Sequence, residues 1–112
     1  MGVILHITRA EAWEAAKAAG AYEAESLARQ GFIHCSRPEQ VIPVANGIFR
    51  GRKGLVLLCI DEARLTSPVR CENLQGGKQL FPHVYGPVNL DAVMEVVPFP
   101  PREDGTFALP DL

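Results

Sequence analysis

The sequence has no apolar run approaching the about 20 residues that a helix needs to cross a bilayer, so no membrane span is expected. It opens "MGVILHITRAE", without a basic stretch ahead of its apolar residues or a small-residue cleavage site, so no secretory signal is expected either. His6 stands where an N-myristoylation start would want Ser or Thr. Cysteine is scarce and odd in number: Cys35, Cys59 and Cys71, with no C-x-x-C pair. That argues against a disulfide framework, suits reduced thiols in a cytoplasm, and offers no ligand spacing for zinc, so no metal is expected. Neither sign of charge dominates: 11 basic residues face 13 acidic ones, for a net charge of −2. General attraction to anionic lipid is therefore not implied, and a nucleic-acid partner, though left open, is not indicated by charge. The one basic cluster, Arg50, Arg52 and Lys53, reads as a solvated loop. GxGxxG, GxxxxGKS/T, GxSxG and HExxH are all missing, which removes several common enzyme readings.

What remains is one domain's worth of chain: 112 residues, 47% hydrophobic, enough to bury a core without staples. "GVILHIT" (2–8) reads as a strand, and "TRAE" (8–11) as a capping box in which Thr8 and Glu11 satisfy each other's backbone N–H. An alanine-rich helix follows, with Trp13 and Ala16 on its inner face and Gly20 as its stop. "GFIHCS" (31–36) repeats the plan, with "SRPE" (36–39) as a second capping box and Pro38 in the first turn. Val41, Val44, Ala45, Ile48 and Phe49 then recur at helical spacing, with Pro43 inside the run as a cause of a kink or a late start. "LVLLCID" (55–61) is a central strand buried on both faces, "PVRCEN" (68–73) a peripheral strand, "LQGGKQL" (74–80) a loop, and "AVMEVVPF" (92–99) a last strand. The expected class is α+β, with two N-terminal helices ahead of antiparallel strands. Residues 1–99 form the expected domain, and 100–112 an irregular tail too rich in proline and polar residues for regular structure.

The three histidines carry the chemistry. His6 precedes Thr8 by two residues, and His34 precedes Ser36 by two, so each imidazole would share a strand face with a hydroxyl at the mouth of a helix. Free N–H groups and the helix dipole favour an anion there, phosphate above all. His83 and Tyr85 alternate in the same way between Pro82 and Pro87. The two strands are expected side by side in one sheet, bringing His6, His34, His83 and Tyr85 to one cleft. Cys35 is adjacent to His34 and so points to the opposite face, which removes a Cys–His nucleophile pair and leaves Cys35 as a small hydrophobe. Glu72 and Glu95 lie on predicted strands, where a solvent-facing placement suits both.

"LHIT", "GFIHCS", "VANGIF", "LVLLCID" and "FPHVYGPV", in that order, resemble the bacterial domain-of-unknown-function 952 family over nearly the whole chain except the tail. That family is grouped with the ADP-ribosyltransferase-like superfamily, near the tRNA 2′-phosphotransferases. The resemblance implies a split-sheet α+β fold clasping NAD, as substrate or ligand, between two small sheets. It implies a transferase of ADP-ribosyl- or 2′-phospho-transfer type with a histidine-lined nucleotide pocket. The alternative is a non-catalytic nucleotide-binding module of the same fold. Carried over by motif, His6, His34 and His83 are the catalytic candidates, and Thr8, Ser36 and Tyr85 the nucleotide-binding ones. No acidic residue sits in "FPHVYGP", where a catalytic glutamate would be wanted. That points to a histidine-based site nearer the phosphotransferase branch. No oligomeric state is indicated.

Overall fold

The computed structural model describes residues 2–73 and 77–112; the first part of the loop expected at 74–80 lies outside them. In chain order the elements are β1 (Val3–Arg9), α1 (Ala10–Ala19), β2 (Ala21–Tyr22), α2 (Glu25–Gln30), β3 (Ile33–His34), α3 (Pro38–Ile48), β4 (Leu55–Asp61), β5 (Val69–Glu72), β6 (Phe81–Val84), β7 (Val88–Asn89) and β8 (Val93–Pro98). The class is α+β. All the strand pairs are antiparallel, in a β1-β4-β8 sheet, a β3-β6-β5 sheet and a β2-β7 ribbon.

β4 is an unbroken apolar run because it is bonded on both edges and covered on both faces. Leu58 and Ile60 point with Ile4 into one core, against α1, Ile33, Val84 and Val88. Leu57 and Cys59 point with Leu5 into a second core, against Val41 and Ala45 of α3. Trp13 and Ala16 form the inner face of α1 as expected, and Gly20 ends it with a φ of 93° that only glycine adopts freely.

Several expectations change. A third helix, α2, occupies residues for which the sequence pattern predicts no element; it begins without a side-chain cap, so the sequence carries no start signal for it. Ser26 Oγ donates to the carbonyl oxygen of Phe32 at 2.8 Å, tying this single turn and a half to β3. Neither expected capping box forms. The N-cap of α1 is Arg9, because Thr8 continues the ladder with Val56, and the Ala10 N–H goes to the carbonyl of Gly54. The N-cap of α3 is Arg37, whose N–H donates to Gln40 Oε1 at 2.9 Å; Ser36 is one residue too early. Pro38 does take the first turn, and the helix runs through Pro43 without a late start.

β1 and β3 also fall in different sheets. β1 touches the exit of β3 antiparallel at one bridge, where Leu5 and Ser36 exchange both N–H···O bonds at 2.8 Å. An antiparallel touch sends the two following helices off in opposite senses, so their mouths do not share an edge. The tail is irregular but belongs to the core: Phe107 is 1% exposed and stacks on Phe99 at 4.7 Å.

Candidate functional site

A cleft of about 630 Å³ opens where the two three-stranded sheets meet at the free edge of β1. Leu5, His6 and Ile7 come from β1, His34 and Ser36 from β3 and its exit, and Glu72, Phe81 and His83 from β5 and β6. Val44, Ile48 and Phe49 of α3 and its C-cap add an apolar wall, while Gln30 closes the α2 side. Lys78 is the one lysine or arginine among the described residues of the lining. The residues of the first turn of α3, Pro38–Gln40, are not in it, so the helix mouth expected to hold phosphate does not face the cleft.

The three histidines are brought together, with different jobs. His6 is buried and both its ring nitrogens are engaged: Nδ1 lies 2.6 Å from the carbonyl oxygen of His34, and Nε2 lies 2.7 Å from Tyr22 Oη. A carbonyl only accepts, so Nδ1 carries the proton and Nε2 accepts from the Tyr22 hydroxyl. Thr8 Oγ1, 3.0 Å from Tyr22 Oη, then supplies that oxygen with its second bond. Burial depresses the His6 pKa to about 4, the bond to His34 only partly opposing it, so the ring is neutral. His6 therefore fixes the backbone of His34, with both of its ring nitrogens committed within the protein. Thr8 does not line the cleft; its hydroxyl belongs to this same network.

His34 and His83 face each other across the β3–β6 pair, ring centroids 5.4 Å apart, edge to face. His34 Nε2 donates to Gln30 Oε1 at 2.7 Å, and its pKa is lowered, first by burial and then by His83. His83 Nδ1 lies 3.0 Å from Glu72 Oε1, and the same oxygen accepts from the Tyr85 hydroxyl at 2.6 Å. These two bonds hold the Glu72 carboxyl below the usual carboxylate range, Tyr85 contributing most. Tyr85 is not part of the lining: it grips Glu72 from behind, with the Arg70 guanidinium 5.0 Å over its ring. Phe32 is the shared support, 4.4 Å from His83, 4.8 Å from His34 and 5.4 Å from Tyr85 between centroids.

Glu72 is the residue the linear reading underrates. It is absent from "FPHVYGP" because it comes from the neighbouring strand, where Glu72 pairs with Phe81 and Cys71 with Pro82. That register puts the carboxylate two residues away from His83 on the same sheet. The signal in the sequence is the strand "VRCE" itself, an acid at a strand end with no apolar reason to be there. Glu95 is exposed on β8, away from the cleft. Cys35 is buried with its thiol pushed up to about 12 by desolvation, which leaves it an inert hydrophobe. No cluster of three or more His, Cys, Asp or Glu among the described residues could hold a metal ion.

The family model described as "Protein of unknown function (DUF952)" matches residues 7–96. No curated protein matches the chain. Among solved structures, it is similar to the crystal structure of protein CC0527 from Caulobacter crescentus: 34% identity, TM-score 0.86, over 96% of this chain and 94% of that one. The solution NMR structure of CC0527 gives 34% identity and a TM-score of 0.82, over 95% of this chain and 91% of that one.

Proposed function

The chain belongs to the DUF952 family, and from that premise we propose that its cleft binds NAD as a substrate and serves a transferase of the ADP-ribosyltransferase type. The observation that carries this reading is the open edge of β1 at Ile7. Leu5 directs its N–H and C=O outward to Ser36. Outward and inward bonding alternate along an antiparallel strand, so Ile7, two residues on, turns its own N–H and C=O to the same edge, inside the cleft. A donor and an acceptor side by side on extended backbone match a primary carboxamide such as that of nicotinamide. Ile48, Phe49 and Phe81 offer apolar surface to a flat ring.

Glu72 supports the same reading. Both of its internal bonds fall on Oε1, which leaves Oε2 to accept from a ribose hydroxyl. A carboxylate held ionised beside the anomeric carbon also favours the oxocarbenium-like charge that grows as the nicotinamide bond breaks. Two three-stranded antiparallel sheets meeting at the cleft agree with a split-sheet fold of that superfamily. Lys78 is the group suited to the diphosphate, while His34, its Nε2–H given to Gln30, offers Nδ1 as an acceptor to a ribose hydroxyl.

A nucleotide binder without chemistry is the second reading. The observation in its favour is His6, whose two nitrogens are committed within the protein. Calorimetry with NAD, ADP-ribose and nicotinamide, together with chromatographic detection of released nicotinamide, separates the two. Wild type should bind NAD, and His34→Ala should weaken it by about 1–3 kcal/mol, the loss of a hydrogen bond in a desolvated site. Ile7→Pro deletes the outward N–H of an edge strand, at the cost of the Ile7 side chain's packing on the second core, and should abolish nicotinamide binding. Binding with no nicotinamide release selects the second reading; no binding of any of the three ligands refutes both.

A further inference from the structure

We infer that His83 is the general base of this cleft and that the acceptor it serves is a hydroxyl, either water or a sugar alcohol. The inference rests on the reading that NAD is the substrate.

The geometry of His83 is that of an oriented base. Nδ1 is fixed on Glu72 Oε1 at 3.0 Å, and a carboxylate only accepts, so Nδ1 carries the proton and the lone pair is at Nε2. The ring cannot turn to change this. It is stacked on Phe32 at 4.4 Å and 29°, set edge-on to His34 at 5.4 Å, and 4% exposed, yet it lines the cleft. Glu72 is fixed in turn by Tyr85 at 2.6 Å. A carboxylate that sets an imidazole's tautomer, itself set by a phenol, is more orientation than a passive wall residue needs. His34 is less suited to the task, because its N–H partner at 2.7 Å is the neutral amide oxygen of Gln30, not a carboxylate that stabilises the imidazolium a base becomes.

The class of acceptor follows from what such a base is for. A thiolate or a carboxylate attacks without losing a proton in the step. A hydroxyl is a poor nucleophile until its proton is taken as the new bond forms, which is what a positioned imidazole does. In the step inferred, the acceptor oxygen forms a bond to the anomeric carbon of the nicotinamide ribose. The carbon–nitrogen bond to nicotinamide breaks and its electron pair stays with the pyridine ring, which leaves neutral. The acceptor's proton goes to His83 Nε2 and from there to solvent, and no oxidant or reductant takes part.

The test uses azide, a nucleophile with no proton to lose. Nicotinamide release from NAD should fall by about a hundredfold or more in His83→Asn. Azide should restore it in the variant, with an azido-ADP-ribose product seen by mass spectrometry, while speeding wild type little. Glu72→Gln, which can present an amide N–H to Nδ1 and move the lone pair off Nε2 but also removes the carboxylate beside the anomeric carbon, should also be slowed, and azide should restore it in part. It keeps the test alive if His83→Asn does not fold. Wild-type release rates in both variants, or loss that azide does not restore while calorimetry still shows NAD bound, would overturn the base assignment alone. Absence of NAD binding by wild type removes the underlying reading instead.

Discussion

His6 Nδ1 donates to the main-chain carbonyl of His34 across 28 positions of sequence, at 2.6 Å, so one histidine of the cleft is held in place by another. The bond ties the β1 sheet to the β3 sheet beside the Leu5–Ser36 bridge, at the line where the cleft opens.

That burial has a pH signature. His6 has a folded-state pKa of about 4, against 6.5 when exposed, so between these values the unfolded chain binds the extra proton. Its contribution is fully present above pH 6.5 and is lost as the pH falls from 6.5 towards 4. The ceiling is on the order of 3 kcal/mol, from a shift of about 2.5 units. Urea midpoints measured from pH 7.5 to 4.5 should therefore fall, with the lowered pKa of His34 adding in the same direction. His6→Gln should flatten the slope; an unchanged slope in that variant would sink the assignment.

Removing the network's other end should cost stability at any pH. Tyr22 is 3% exposed, and its hydroxyl serves both His6 Nε2 and Thr8 Oγ1. Tyr22→Phe leaves a buried acceptor unpaired and should destabilise by about 1–3 kcal/mol in chemical denaturation. A variant as stable as wild type would mean the network carries no net stabilisation.

Glu72 and Tyr85 can be read spectroscopically. The carboxylate accepting the Tyr85 hydroxyl raises the phenol's pKa, because ionising it would break that bond beside a negative charge. In a Tyr22→Phe background, which isolates Tyr85, ultraviolet titration should show the phenol ionising at lower pH once Glu72→Gln is added. A shift upward or none at all would contradict the pairing.

Thiol reagents should sort the cysteines by burial. Cys71 is exposed while Cys35 and Cys59 are buried with their thiols pushed up by desolvation. One thiol should label quickly in the folded protein and three in urea. Fast labelling of Cys59 would place a hole in the second core.

The tail supplies the last test. Phe107 stacks on Phe99, and its N–H donates to Asn46 Oδ1 at 2.8 Å, pinning the tail to the helix that walls the cleft. Phe107→Ala should cost about 3–5 kcal/mol, the scale of an aromatic deleted from a core. A change within 0.5 kcal/mol or so, typical of surface positions, would show the tail to be peripheral.

The sequence by itself determined the elements whose signal is local. "LVLLCID" became β4 with the bounds expected, since a short apolar run closed by Asp61 is too brief for a buried helix and suits a strand covered on both faces. Gly20 ended α1 and Pro38 opened α3, because positive φ and a missing N–H are properties of single residues. The tertiary structure decided everything that depended on pairing. Thr8 and Ser36 read as caps because capping uses a residue type also at home in a strand, and the ladder with Val56 and the bridge to Leu5 won. Phe107 reads as tail because its proline-rich surroundings say nothing about a partner eight residues back. The division of labour among the histidines was decided the same way. Their spacing along the chain is alike, but His6 faces a phenol and a carbonyl in the interior, while His83 faces Glu72 at the cleft. Glu72 itself joins the site through strand register, and register is a relation between distant segments that no local pattern carries.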